Sequence, residues 1–284
     1  TDAMSGVVNV VTRRPGATTQ GQVRVEAGSF DGTLGAFRGQ LPIGERWRVA
    51  ASVQADRSDG HRPGVDHRAR LLHTRLEGEV AGGRLDVQAG WASRDFGADG
   101  FYAPQPSYEE TRTQTLAVSW SGPVRGIETQ ARAFQRTHDD DFILRRADPE
   151  FYRNVHTSRQ WGAELSGRLE LRPGISVVSG AQAIRHELTS TNLGERDENR
   201  AGAFVELGME REALTLRAGA RLEGREDFGS WLAPSVAAAW QIAPALQARG
   251  AIGRAFRTPS FTERWYRDPA NVGRADLQPE RATT

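Results

Sequence analysis

Apolar and polar residues alternate one by one through most of this sequence, the pattern of strands with one apolar and one polar face. Over 213–223, Leu214, Leu216, Ala218, Ala220 and Leu222 share one face, against Thr215, Arg217, Gly219, Arg221 and Glu223 on the other. Over 161–172, Trp161, Ala163, Leu165, Leu169 and Leu171 oppose Glu164, Ser166, Arg168, Glu170 and Arg172. Over 46–56, Trp47, Val49, Ala51, Val53 and Ala55 oppose Arg46, Arg48, Ser52, Gln54 and Asp56. A helix would scatter these charges around its circumference, whereas a strand sorts them. The pattern predicts an all-β chain of about thirteen strands. They fall at 21–30, 32–41, 46–56, 68–80, 84–94, 111–121, 126–138, 158–171, 175–188, 199–209, 213–223, 231–242 and 245–254. Most reach the ~9–11 residues that cross a bilayer when tilted.

The connections narrow the architecture. Those after even-numbered strands are short: Pro42-Ile43-Gly44-Glu45, Ala81-Gly82-Gly83, Gly122-Pro123-Val124-Arg125, Arg172-Pro173-Gly174 and Ala243-Pro244. Those after most odd-numbered strands are long and polar, at 57–67, 95–110, 139–157 and 189–198, while Phe30-Asp31-Gly32 closes a tight first hairpin. Short turns on one rim and long loops on the other predict an antiparallel transmembrane β-barrel with its long loops outside the cell. Of the 13 prolines, only Pro234 falls inside a predicted strand, as expected of a residue that cannot donate to a ladder. Trp47, Trp91, Trp120, Trp161 and Trp240 all lie on apolar faces. Interfacial girdles and ordinary strand packing both place them there.

Composition permits this reading and removes others. The basic residues number 37, all of them arginine, against 36 acidic residues, for a net charge of +1. A nucleic-acid binder would show a basic excess. There is no cysteine, which excludes disulfides, thiolate metal sites and a cysteine nucleophile. No apolar run approaches the ~18 residues of a membrane-spanning helix. The mean hydropathy of −0.57 suits a barrel as well as a soluble protein, because only alternate barrel positions meet lipid. Thr1-Asp2-Ala3-Met4 lacks the layout of a signal peptide, so an exported protein of this kind is expected to have lost or shed its start.

Asp2-Ala3-Met4-Ser5-Gly6-Val7-Val8-Asn9-Val10-Val11-Thr12-Arg13-Arg14-Pro15 resembles the last plug strand of TonB-dependent outer-membrane receptors. Gly253-Arg254-Ala255-Phe256-Arg257-Thr258-Pro259-Ser260-Phe261-Thr262-Glu263 resembles a motif from the middle of that family's barrel. Pro269-Ala270-Asn271-Val272-Gly273-Arg274-Ala275-Asp276-Leu277-Gln278-Pro279-Glu280 is similar to the asparagine–proline–leucine–proline–glutamate element that follows it. Asp95-Phe96-Gly97-Ala98-Asp99-Gly100-Phe101-Tyr102 looks like a loop of cobalamin-type members. The resemblance implies the end of a plug at 1–16 and the N-terminal part of a transmembrane β-barrel at 17–284. The family's barrel has about 22 strands, so the expected chain is partial, lacking most of the plug with its energy-coupling box and roughly nine C-terminal strands.

Candidate chemistry is sparse. His61, His67, His73, His138, His156 and His186 accompany no HExxH or GxSxG pattern, so no catalytic group is assigned and an enzyme is not expected. Asp139, Asp140 and Asp141, with Asp148 and Glu150 nearby, concentrate carboxylates; they could hold Ca2+, or form a solvated acidic loop tip. Phe101, Tyr102, Tyr108, Phe142, Phe151, Tyr152, Trp265 and Tyr266 fall in expected outer loops. Their rings could stack on a planar ligand or pack the loops together. Arg145, Arg146, Arg257 and Arg267 could pair with an anionic ligand. Arg13 and Arg14 could contact wall carboxylates where the plug meets the barrel, or be solvated.

The resemblance implies a receptor in the bacterial outer membrane, in contact with its lipid, that binds a scarce nutrient chelate. An inner-membrane complex would act through TonB on the missing N-terminal part. Haem receptors of the family carry a histidine between the two barrel motifs, and residues 260–273 contain none, which leaves a ferric siderophore or cobalamin as the expected ligand. A passive porin-like or autotransporter barrel fits the strands alone. The plug-like segment argues against it.

Overall fold

The computed structural model describes residues 11–101, 103–267 and 271–284. The strands run β1 Gln20–Ala27, β2 Thr33–Ile43, β3 Trp47–Ser58, β4 His67–Val80, β5 Gly83–Gly97, β6 Tyr108–Val124 and β7 Ile127–Ile143. They continue as β8 Arg153–Arg172, β9 Ile175–Ser190, β10 Gly194–Arg211, β11 Leu214–Arg225, β12 Gly229–Ala243 and β13 Leu246–Arg257. A short helix α1, Phe261–Trp265, precedes β14, Glu280–Thr283. All fourteen strands form one sheet in sequence order. Every neighbouring pair is antiparallel, and β1 and β14 are the two ends of an arc.

The cross-strand register explains why this arc belongs in lipid. Gly78, Leu85, Trp120, Ala131, Leu165 and Ala181 are successive cross-strand partners from β4 to β9. The adjacent row reads Glu77, Asp86, Ser119, Arg132, Glu164 and Gln182. Six strands thus keep their apolar positions on one face without a slip, and a one-residue shift would invert them. Burial runs opposite to that of a water-soluble domain. Among the described residues, the buried apolar side chains are Ala98, Leu193 and Phe256, whereas Arg75, Glu77, Asp86, Glu223 and Arg225 are buried and charged. Val53, Leu72, Leu116, Leu165, Val205, Leu222 and Val236 are exposed. An apolar area of this extent exceeds what a soluble monomer leaves in water. It is the lipid-facing band of a barrel, with the polar face lining the lumen.

The short rim is built from tight hairpins. Ala81 and Gly82 have φ of 51° and 73°, and Arg125 and Gly126 have 50° and 81°, the positive-φ pairs that match the twist of two-residue hairpins. Trp120 lies over this rim and donates from Nε1 to the Val80 carbonyl at 2.9 Å. Trp47 covers Gly78, where a Cβ would enter the indole. Gly78→Val should therefore expel Trp47, costing about 1–3 kcal/mol, read as a lower urea midpoint of the lipid-embedded protein.

Three expectations are corrected. Among the described residues the strands number fourteen, because residues 280–283 also pair with β13. The loops at 139–157 and 189–198 shrink to 144–152 and 191–193, since β7, β8, β9 and β10 extend past the apolar band. Out there both faces meet water and alternation fades, so polar strand residues read as loop. Pro42 and Pro123 also join strand ends, where a missing donor is tolerated. Pro234 sits where the β12–β13 ladder stops, Ser235↔Gly253 being its last pair. The plug-like Asp2–Val10 stretch lies outside the described residues.

Candidate functional site

Three outer loops interlock at the long-loop rim. Arg146, in the β7–β8 loop, clasps Asp66 of the β3–β4 loop with Nη1–Oδ1 at 2.5 Å and Nη2–Oδ2 at 3.0 Å. Its guanidinium lies 4.1 Å from the Tyr108 ring centroid, and its backbone N–H donates to the Pro106 carbonyl at 2.9 Å. Arg145 stacks on Phe151 at 3.5 Å and donates from Nε to Gln105 Oε1 at 3.1 Å. Arg62 pairs with Asp99 at 2.5 Å, joining the β3–β4 and β5–β6 loops.

The Arg146 hydrogen bonds hold the Asp66 carboxyl below its usual value, against the opposing pull of partial burial. A lowered folded pKa gives a contribution that is complete above the ordinary carboxylate range, near 4, and fades as pH falls through the depressed value. Amide protection in 59–66 and 144–152, taken relative to the intrinsic exchange rate at each pH, should therefore be flat from neutrality to about pH 5 and fall together below about pH 4. Arg146→Ala should lower it at neutral pH.

Behind these loops, on the lumen face, lies an aromatic and amide cluster. Phe142 meets Tyr152 edge-on, centroids 6.5 Å apart at 75°. Buried Asn154 donates from Nδ2 to Tyr152 Oη at 2.9 Å, and Asn192 donates to the same oxygen at 3.4 Å. Tyr266 brings its hydroxyl to within 3.5 Å of Tyr152 Oη. Ser190 Oγ accepts from the Asn192 and Leu193 amides at 3.1 and 2.9 Å, fixing the turn that presents Asn192.

Tyr266 is placed by α1. Ser260 caps the helix, and the Glu263 side chain returns to the Ser260 amide at 2.8 Å, forming a capping box. Arg257 also grips Glu263, at 2.9 and 3.0 Å. The Arg257 bonds and then the Ser260 amide depress the Glu263 pKa to about 2. Trp265 stands between Arg196 and Arg264, at 4.6 and 5.1 Å from its centroid, and Arg264 is tied to Asp227 at 2.7 Å. Beneath α1, Arg225 faces Glu198 and Glu223, each at 3.5 Å, and donates to Thr258.

Of the sequence-derived ligand residues, Phe142, Tyr152 and Tyr266 converge in one cluster. Tyr108, Arg145 and Arg146 are engaged in loop–loop packing. Trp265 sits between arginines beside Tyr266. Phe101 is 78% exposed near the tip of its loop, Tyr102 lies outside the described residues, and Arg267 forms an antiparallel bridge with Val272. The three aspartates do not form one ligand set. They lie within β7, whose alternation puts Asp140 on the lumen face and Asp139 and Asp141 on the other. Asp139 accepts from Thr157 at 2.8 Å, and Asp141 is clasped by Arg153 at 2.8 Å. No group of three candidate ligands occurs among the described residues.

Residues 173–284 match the family model described as TonB dependent receptor-like, beta-barrel. The siderophore receptor PirA from Pseudomonas aeruginosa superposes with a TM-score of 0.81 at 19% identity, covering 98% of this chain and 54% of PirA. The wall has the fold of a TonB-dependent receptor barrel. The Serratia marcescens haemophore receptor HasR, solved with its haemophore and haem, gives 0.76 at 16% identity, covering 95% of this chain and 50% of that one. The copper transporter OprC gives 0.75 at 15%, with coverages of 95% and 51%. No curated protein sequence matches. The chain spans about half the length of the solved structures it matches. Barrels of this family reside in the outer membrane of Gram-negative bacteria, and the outward apolar band of this wall suits a lipid setting.

At the opposite rim of the wall, the segment leading into β1 is fastened to the strands. Buried Arg75 donates from Nη1 to the Thr12 carbonyl, Thr12 Oγ1 and the Arg13 carbonyl at 3.2, 3.1 and 3.1 Å. Its Nε reaches Asp86 at 2.9 Å, and Nη2 pairs with the same carboxylate. Arg14 approaches Glu77 at 3.8 Å, so Arg14 does contact a wall carboxylate. Sequence reasoning missed Arg75, Asn154, Asn192 and Arg196. The first follows from its place beside Glu77 on a lumen row. The others became findable only once β8 and β10 were known to extend past the membrane.

Proposed function

We propose that this chain supplies the wall and outer loops of an energy-coupled outer-membrane receptor for a scarce nutrient chelate, a ferric siderophore or cobalamin. The observation that carries this reading is the Phe142–Tyr152–Asn154–Asn192–Tyr266 cluster, facing the lumen directly below the interlocked loops. Rings with polar tips give a large ligand both stacking area and oriented hydrogen bonds. Arg196, over the Trp265 ring, adds positive charge where an anionic chelate would arrive. PirA, whose barrel superposes most fully among the structures named above, is a siderophore receptor. In this account a plug preceding Arg13 blocks the lumen until an inner-membrane complex pulls on it through TonB.

The test is uptake by cells carrying the full-length receptor with Tyr152→Ala and Tyr266→Ala together. For the ligand that the native receptor imports, binding should weaken by about thirty-fold, the roughly 2 kcal/mol of a binding hot spot, with unchanged receptor abundance. Unchanged affinity would overturn the site. Uptake that persists without energy coupling would overturn the receptor reading in favour of a passive channel.

A further inference from the structure

Above the apolar band, the outward face of β3–β6 departs from the composition of the rest of the wall. Val53, Leu72 and Trp91 are successive cross-strand partners on the lipid face. Two residues farther out along the strands the row becomes Ala55, Arg70, Ser93 and Arg112, and two farther still Arg57, Arg68, Asp95 and Glu110. Arg57, Arg68, Arg70 and Arg112 are all exposed. Arg57 and Arg68 are directly opposed across the ladder, an arrangement of like charges that destabilises a sheet unless something lies between them. Among the described residues none of these four guanidiniums has a hydrogen-bond, ion-pair or ring partner, whereas Arg62, Arg146 and Arg153 on the same rim are all paired. Asp95 and Glu110 share the face and offset part of the charge, leaving the arginines in excess.

We propose that this patch binds the phosphate-bearing headgroup of a membrane lipid. Charge complementarity selects an anion, and continuity with the apolar band selects one carried on acyl chains. Chains lying along Val53, Leu72 and Trp91 bring a headgroup level with Arg70 and Arg112. Those two stand two strand spacings apart, about 10 Å. Arginine forks suit phosphate oxygens, and a phosphate seated among Arg57, Arg68 and Arg70 removes the like-charge conflict. The site lies outside the barrel, away from the lumen cluster, and rests on the outer-membrane placement alone.

The experiment uses the full-length receptor in phosphatidylcholine nanodiscs containing either phosphatidic acid or diacylglycerol, with retained lipid measured by native mass spectrometry. The native receptor should retain phosphatidic acid in preference to diacylglycerol. R68Q/R70Q/R112Q should lose about a hundred-fold of that preference, roughly five-fold per arginine, while R68K/R70K/R112K keeps most of it. If the triple glutamine variant fails to assemble, R70Q alone should show the five-fold loss. Equal retention by native and glutamine forms would overturn the proposal. So would complete displacement of the lipid by inorganic phosphate, which would indicate a site for free anions. Ligand uptake should be unchanged in all variants, which separates this site from the receptor function.

Discussion

Replacing Leu165 with arginine is expected to remove about 2–4 kcal/mol of stability in a bilayer. Leu165 lies midway between Trp161 and Leu171 on the outward face of β8 and is 58% exposed. Its cross-strand partners are Ala131 and Ala181, so no carboxylate is at hand to receive the guanidinium. In water, an exposed leucine-to-arginine change stays within about 0.5 kcal/mol. The two environments therefore predict outcomes several-fold apart for one substitution. Glu164→Gln, one residue away on the lumen face, is the control and should be near neutral. Urea titration of the full-length receptor in lipid vesicles, followed by tryptophan fluorescence, reads both. A loss below about 0.5 kcal/mol for Leu165→Arg would mean that this face does not meet hydrocarbon.

Arg75→Ala should be costlier, about 3–5 kcal/mol, because removing one partner of a buried ion pair strands the other. Among the described residues, Asp86 would lose its only cationic partner, and buried Glu77 would keep Arg14 at 3.8 Å as its remaining one. The Thr12 and Arg13 carbonyls would also lose their donor. The loss should be local before it is global, so protease cleavage near residue 13 should accelerate ahead of any change in barrel unfolding. Arg75→Lys should recover only part of the loss, since a point charge cannot serve Asp86 and the backbone carbonyls together. Unchanged cleavage in Arg75→Ala would show that the segment is held by something else.

Much of the wall was legible because lipid imposes a strict period. At Leu214, Leu216 and Leu222 the outward face must be apolar and the intervening positions face water, so the sequence carries the register residue by residue. That constraint ends where the strands leave the membrane. Asp139–Asp140–Asp141 reads as an acidic loop, yet it is strand whose alternation parts Asp140 from its neighbours. Asn154 and Asn192 were invisible for the same reason, lying in stretches with no apolar alternation to announce a strand. The Arg146–Asp66 clasp joins residues eighty positions apart, and nothing local in either segment specifies the pairing. Phe142, Tyr152 and Tyr266 were legible as rings in outer segments, but only strand pairing and the capped turn of α1 show that they meet.

The chain has no cysteine, which makes one measurement direct. Single cysteines placed in turn from 161 to 171 in the full-length receptor, in intact outer membranes, can be tested with a water-soluble maleimide. A lipid-facing wall predicts a period of two, with 161, 163, 165, 169 and 171 protected and 164, 166, 168 and 170 reactive, although Leu165 and Leu171 are among the more exposed large apolar side chains described. Uniform reactivity, or reactivity that follows exposure alone, would contradict a lipid-facing wall and with it the proposed receptor.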